Sequence, residues 1–206
     1  MLTVATKEFH LGTKVPIGSV HGRFQPLHLE HLDYILEAKS RCDFLYVGLT
    51  AFDIRAIHGP AESPHRKFRA SNPLTYFERT RMISDALAEA SVPASTFAFT
   101  PFPIDDPDQL FCFLPTTVTC FTTICDEWNR RKIDLLSRAG YPVVVVRERE
   151  PPRLRAGVIR DLLRRGDDAW TTMVPPAVAR YLHSLQIRDR LAVLETEGVA
   201  ISQPEP

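Results

Sequence analysis

The chain has 206 residues, 44% of them hydrophobic, with 25 basic and 25 acidic side chains. That length supports one domain with a sizeable core. The balanced charge gives no reason to expect nucleic acid or an anionic membrane as a partner.

Residues 1–14 are expected to form an N-terminal arm outside the core. The apolar run 15–20 reads as the first strand, and a helical pattern with Leu32, Ile35 and Leu36 on one face reads as a helix from His28 to about residue 41. Between them lies Gly22-Arg23-Phe24-Gln25-Pro26, a tight loop. His28 and His31 stand at the helix start, three residues apart and so on one face. Free N–H groups and the positive end of the helix dipole make such a start suited to phosphate. Gly22 lets backbone pass close to a ligand, and Arg23 adds a fork of donors.

The run 44–49 reads as a buried parallel strand. Residues 51–72 lack apolar periodicity and hold the basic cluster His65, Arg66, Lys67 and Arg69. This stretch is either a solvated surface loop or a mobile lid over an anionic substrate. Thr75 and Glu78 form a capping-box pattern that opens a helix ending at Val92-Pro93. Residues 96–100 alternate as a strand, 109–114 read as a short helix, and the β-branched run 117–124 reads as a fourth strand. A helix over 126–138 is closed by Gly140, the run 143–146 reads as a fully buried strand, and a charged loop follows to Arg155. Helices are then expected over 156–165 and 175–184, with a weaker helical pattern over 190–195 and disorder from 202.

Cys42, Cys112, Cys120 and Cys125 have no CxxC spacing, so buried free thiols are expected rather than a zinc site or redox pair. No apolar stretch has the form of a signal peptide or membrane span, and a cytoplasmic protein is expected. Alternation of strand and helix implies an α/β fold, a Rossmann-like doubly wound parallel sheet. The expected division is an arm at 1–14, one domain at 15–185, and a C-terminal helix and tail at 186–206. Ligands in such sheets sit at the carboxyl ends of strands, so the loops after Val20 and Val146 can face one site.

The first loop and helix start resemble the signature of the HxGH nucleotidyltransferase superfamily, nearest to the GRFQPFHxGH form of archaeal-type nicotinamide mononucleotide adenylyltransferases. Residues 22–26, His28 and His31 match, while Glu30 stands in place of the second glycine. Residues 72–83 resemble that family's NPFTxxERxxMI helix, within which Glu78 and Arg79 are either a structural pair or part of a site. Leu154-Arg155-Ala156-Gly157-Val158-Ile159-Arg160 falls where the family has ISxTxIR; Ile159 and Arg160 match, while Arg155 and Gly157 replace the serine and threonine. Residues 166–178 resemble the family ending. Asp126-Glu127-Trp128 departs from the archaeal SGNP and is similar to the GDDW of glycerol-3-phosphate-type cytidylyltransferases. On the residues alone, Asp126 is either a helix cap or a ribose or base contact, and Trp128 either packs or lies against a ring.

The resemblance implies nucleotidyl transfer: a phosphate-type oxygen attacks the α-phosphorus of a nucleoside triphosphate in line, and pyrophosphate leaves. It implies His28, His31 and Arg160 as catalytic residues, with Arg160 otherwise a solvated helix residue. It implies Gly22, Arg23, Phe24, Asp126, Trp128, Arg155, Gly157 and Ile159 at the nucleotide. Lys67 and Arg69 are candidates for the acceptor's anionic group. Mg²⁺ is expected as cofactor, held by substrate and water with no protein cage. The expected partners are a nucleoside triphosphate, with CTP slightly favoured over ATP, and a small phosphate or phosphonate. Homo-oligomers are common in the family. Two alternatives stay open: a nicotinamide mononucleotide adenylyltransferase making NAD, and a non-catalytic nucleotide sensor disarmed by Glu30. His10, His21, His58 and His183 have no partner motif and read as ordinary residues.

Overall fold

A computed structural model describes residues 14–53, 69–148 and 153–201, with side chains to residue 194. Most of the arm, Lys67 and most of the basic stretch, and the segment from 202 lie outside the described residues.

Five parallel strands form one sheet in the order β3-β2-β1-β4-β5. They are β1 (Val15–Gly22), β2 (Cys42–Leu49), β3 (Phe97–Pro101), β4 (Thr119–Ile124) and β5 (Val143–Glu148). The connecting helices are α1 (Leu29–Ser40), α2 (Tyr76–Glu89) and α3 (Glu127–Arg138); α4 (Ala156–Arg165), α5 (Pro176–Ser184) and α6 (Ile187–Ile201) follow β5. The chain winds outward from β1 to β3, then restarts at β4 beside β1. The crevice at the carboxyl ends of β1 and β4 is therefore the switch point where such sheets bind ligands.

Local chemistry explains the element ends. Thr75 accepts from the Glu78 N–H at 3.2 Å and Glu78 accepts from the Thr75 N–H at 2.8 Å, which completes the expected capping box of α2 and is worth about 1 kcal/mol. Gly166 ends α4 at φ +68°, a left-handed backbone that costs glycine little. The main core gathers Val20, Leu45 and Val47 of the sheet with Ile35, Ile83, Ile159 and Leu182 of the helices. A smaller cluster around Phe102, Leu110, Cys120 and Leu136 includes the expected buried thiol Cys120; Cys42 is buried too, whereas Cys112 is exposed.

Three expectations need correction. The run 143–146 is not fully buried: only Val146 is, and Val145 is 39% exposed. Being last in the strand order, β5 lacks a neighbour on one side. Arg147 and Glu148 extend β5 rather than opening a loop, and Arg147 donates to Glu37 of α1 at 2.9 Å. The short helix expected at 109–114 is a 3₁₀ turn at Pro107–Cys112, which starts at the proline because a missing N–H is harmless there. The C-terminal segment begins as α6, whose Ile187 and Leu191 are buried in the main core.

Candidate active site

The loop between β1 and α1 is built around Phe24. Its ring is buried and its φ is +49°, a backbone that a bulky residue adopts only when its surroundings enforce it. A Cβ on Gly22 would stand 2.8 Å from that ring, so glycine there makes room for Phe24 as well as for a ligand. Above it, His31 meets Phe24 edge-on at 5.1 Å and stacks on His28 at 3.5 Å. His28 is the N-cap of α1: its Nδ1 accepts from the His31 N–H at 3.3 Å. A neutral His28 with Nδ1 so used carries its proton on Nε2 and is a donor.

Burial lowers the His28 pKa to about 4, against the opposing pull of Glu30. Burial, with His28, Arg23 and Lys132 adding to it, also holds His31 well below the usual histidine range. The linkage has a definite sign. An unfolded His28 takes up its proton near pH 6.5 and the folded one near 4, so the stability that depends on its neutral form is present above 6.5 and is lost as pH falls toward 4. The difference is worth roughly 3 kcal/mol. Urea unfolding at pH 7.5 and pH 5 is expected to show a steeper acid loss for the wild type than for His28→Asn, which caps without titrating. Equal losses would refute this.

Beneath the loop, three side chains fix its backbone. Arg79, 1% exposed, donates to the carbonyls of Arg23 (2.9 Å), Thr50 (2.7 Å) and Ala51 (3.0 Å). Gln25 donates to the Leu74 carbonyl at 2.8 Å and accepts from the Leu74 N–H at 2.9 Å. Arg160 donates to the Gln25 carbonyl at 2.6 Å. Glu78 and Arg79 are therefore not a pair with each other: Glu78 serves the α2 cap and accepts from Arg190 at 2.7 Å.

The cavity at the switch point has a volume near 300 Å³. Among the residues expected at the nucleotide, Gly22, Arg23, Phe24, His28, His31, Asp126, Trp128 and Arg155 line it. Arg160, Ile159 and Gly157 do not. Ile159 is wholly within the core, and Arg160 is neither solvated nor in the cavity: it is buried against the loop from below. Burial lowers its pKa to about 10, which leaves it charged at neutral pH. Arg69 sits in a 3₁₀ turn at Arg69–Ser71, outside the cavity lining, and Lys67 lies outside the described residues.

Glu30 faces the cavity and turns to the α4 side. Its carboxylate accepts from the N–H groups of Leu154 at 3.0 Å and Arg153 at 3.4 Å. It thus ties the start of α1 to the loop before α4, where the N-cap Arg155 forms no side-chain cap bond. The two departures from the family pattern meet here, since the carboxylate holds the loop whose helix lacks a capping hydroxyl. On the opposite wall, Asp126 caps α3 by accepting from the Asn129 N–H at 2.9 Å, and Trp128 is half-buried. The cap and the cavity lining are both real for Asp126.

Four lining residues were not singled out from sequence: His21, Tyr34, Lys132 and Arg147. Lys132 follows Trp128 by four residues and Tyr34 follows His31 by three, so helical spacing from a motif residue would have found both. His21 adjoins the motif on β1, and Arg147 follows the last apolar strand; spacing alone does not distinguish them.

A parallel switch-point crevice, a helix start with two stacked histidines, and an arginine-bearing entry to a second helix together define a nucleotide-binding α/β enzyme site. No family model matches the chain. Phosphonoformate cytidylyltransferase from Streptomyces viridochromogenes is 36% identical over 174 residues, 84% of this chain and 94% of that protein. Nicotinamide-nucleotide adenylyltransferase from Ignicoccus hospitalis is 30% identical over 179 residues, covering 84% of this chain and 94% of that one. Its counterpart from Saccharolobus solfataricus is 26% identical over 174 residues, again 84% and 94% of the two chains. A crystal structure of a bifunctional NMN adenylyltransferase/ADP ribose pyrophosphatase from Francisella tularensis superposes with a TM-score of 0.60 at 15% identity, over 92% of this chain. The chain spans 57% of that structure's length, and the likeness concerns the fold. The chain belongs to the nucleotidyltransferase superfamily, as the loop signature implied, and it is a nucleotidyltransferase with the Rossmann-like parallel sheet of that group.

Proposed function

We propose that the enzyme transfers the CMP group of CTP to a small phosphonate and releases pyrophosphate. The observation that carries this reading is the 36% identity to phosphonoformate cytidylyltransferase across 94% of that protein. Two features of the site support it. A cavity near 300 Å³ is at the small end for ligand sites and favours a small acceptor over a second nucleotide. Asp126 and Trp128 on the α3 wall stand where a base and ribose would lie, with a carboxylate to accept from an amino or hydroxyl group and a ring to stack on.

An oxygen of the acceptor's phosphonate attacks the α-phosphorus of CTP. The new P–O bond forms as the bond from that phosphorus to the bridging oxygen breaks, and pyrophosphate carries off the electron pair. The phosphonate is already ionised at neutral pH, so no base has to remove a proton. Catalysis then consists of bringing two anions together and offsetting charge in the transition state. In this reading Arg23, His28 Nε2 and His31 face the phosphates across the α1 start, and Arg155 faces them from α4. Arg160 and Arg79 act as positioning residues through the loop backbone. Glu30 is tied to the α4 loop rather than unsatisfied among the phosphates, which favours a working enzyme over a disarmed sensor.

Nucleotidyltransferases generally use a divalent cation, and Mg²⁺ is the one proposed here. Glu30 and Asp126 already accept from backbone N–H groups, and no metal-ligating trio stands together among the described residues. That donor set fits a cation arriving on the triphosphate, where it would neutralise phosphate charge. No helix among the described residues is long and apolar enough to cross a membrane; we place the protein in the cytoplasm, where CTP is made.

The test is pyrophosphate release with Mg²⁺, crossing CTP and ATP with phosphonoformate, other small phosphonates and nicotinamide mononucleotide. CTP with a phosphonate is the expected productive pair. Turnover confined to ATP with nicotinamide mononucleotide would replace this reading with NAD synthesis.

A further inference from the structure

The strand order divides the cavity. Asp126, Trp128 and Arg155 reach it from elements that follow β4 and β5. The other half is built at the ends of β1, β2 and β3, from His21, Thr50, Ala51, Ile104 and Asp105. His21 is its deepest polar group, 4% exposed. Its ring lies flat on Phe102, with centroids 4.4 Å apart and planes 6° apart. Gly48, the partner of His21 in the β1–β2 register, permits this stack, because a Cβ there would stand 2.5 Å from the Phe102 ring.

Both imidazole nitrogens of His21 are buried and neither has a hydrogen-bond partner. An orphaned buried polar atom is unfavourable, and phenylalanine would fill the same stack without that penalty. The group calls for a ligand. Burial, and after it the charge of Lys132, holds His21 neutral, so one nitrogen carries a hydrogen to donate. Asp105, the acid of this half, is already engaged within the protein.

We propose that His21 is a specificity-determining residue for the acceptor, donating a hydrogen bond to the second acid group of a small phosphonate, the one that does not attack, with Lys132 supplying the countercharge. The assignment rests on the cytidylyltransferase reading above and names which acceptors that site takes: phosphonates carrying a carboxylate or similar acid beside the reacting group. The nucleotide does not need His21, since base, ribose and triphosphate face other walls.

His21→Phe keeps the stack on Phe102 and removes both nitrogens; His21→Gln keeps an N–H donor. Each is compared with the wild type using CTP and either phosphonoformate or methylphosphonate, which lacks the second acid. The wild type is expected to favour phosphonoformate, and His21→Phe to lose about tenfold or more in kcat/KM on it, through the acceptor KM. Its KM for CTP and its rate on methylphosphonate should stay within about twofold, and His21→Gln should recover part of the preference. Equal losses on both acceptors, a raised KM for CTP, or an unchanged preference would overturn the assignment. If His21→Phe does not fold, His21→Leu makes the same comparison. If the wild type forms no CMP–phosphonate from CTP, the cytidylyltransferase reading falls and this assignment with it. If it forms product and the preference survives in the variants, only the role of His21 falls.

Discussion

Replacing His31 by alanine is expected to lower kcat by about 10²–10³-fold, the loss that follows removal of one preorganised partner of transition-state charge. His31 sits between Phe24 at 5.1 Å and His28 at 3.5 Å, so its ring is held by packing on both faces of the loop. Its position is set before any ligand arrives, which is what makes such a group effective. The reaction asks the protein for little besides placement and charge, and there is no base step to compensate for a lost contact. The KM for the acceptor should change less than kcat, because the contact strengthens as charge builds at the α-phosphorus. Steady-state pyrophosphate release, with circular dichroism to confirm folding, measures both. A kcat within about threefold of wild type would remove His31 from the chemistry.

Replacing Arg79 by methionine should be the most destabilising single change in the site's foundations. One guanidinium satisfies carbonyls of Arg23, Thr50 and Ala51, from the ends of both β1 and β2. Burial lowers its pKa to about 10, so it is still a cation at neutral pH and its hydrogen bonds are charge-assisted. Methionine fills similar space but leaves the carbonyls unpaired, at a cost of about 3–5 kcal/mol. For a chain of this size that is a fall in Tm of roughly 10 °C. Arg79→Lys should recover only part, because an ammonium cannot reproduce the planar spread of donors. Thermal unfolding followed by circular dichroism reads the effect; a fall under about 2 °C would show that water or local shifts satisfy the carbonyls.

Much of this fold was legible because its determinants are local. The capping box at Thr75 and Glu78, and the glycine that ends α4, are chemical events within a few residues, and they appear where expected. The β1–α1 loop signature was legible for a similar reason: a helix start with histidines at three-residue spacing has one geometry whatever surrounds it. The run 143–146 misled because an apolar strand reports that some face is covered, while its place at the sheet edge depends on how four other strands assemble. Arg160 misled differently. Its position on α4 was right, but which way a long side chain turns is decided by the Gln25 carbonyl, 135 residues away in sequence.

By itself, then, the sequence determined the alternation of strands and helices, the phosphate-suited helix start and membership of a nucleotidyltransferase group, all of which rest on short-range periodicity, caps and a contiguous motif. Only the tertiary structure decided which polar side chains face the cavity and which support it from below. Glu30 is bound to a loop more than 120 residues distant, with the bond to Leu154 spanning 124 positions, and His21 is stacked on a ring that follows β3. Those outcomes depend on strand order and on the exclusion of water from the crevice, because a buried carbonyl or carboxylate takes whatever donor the packing brings within reach.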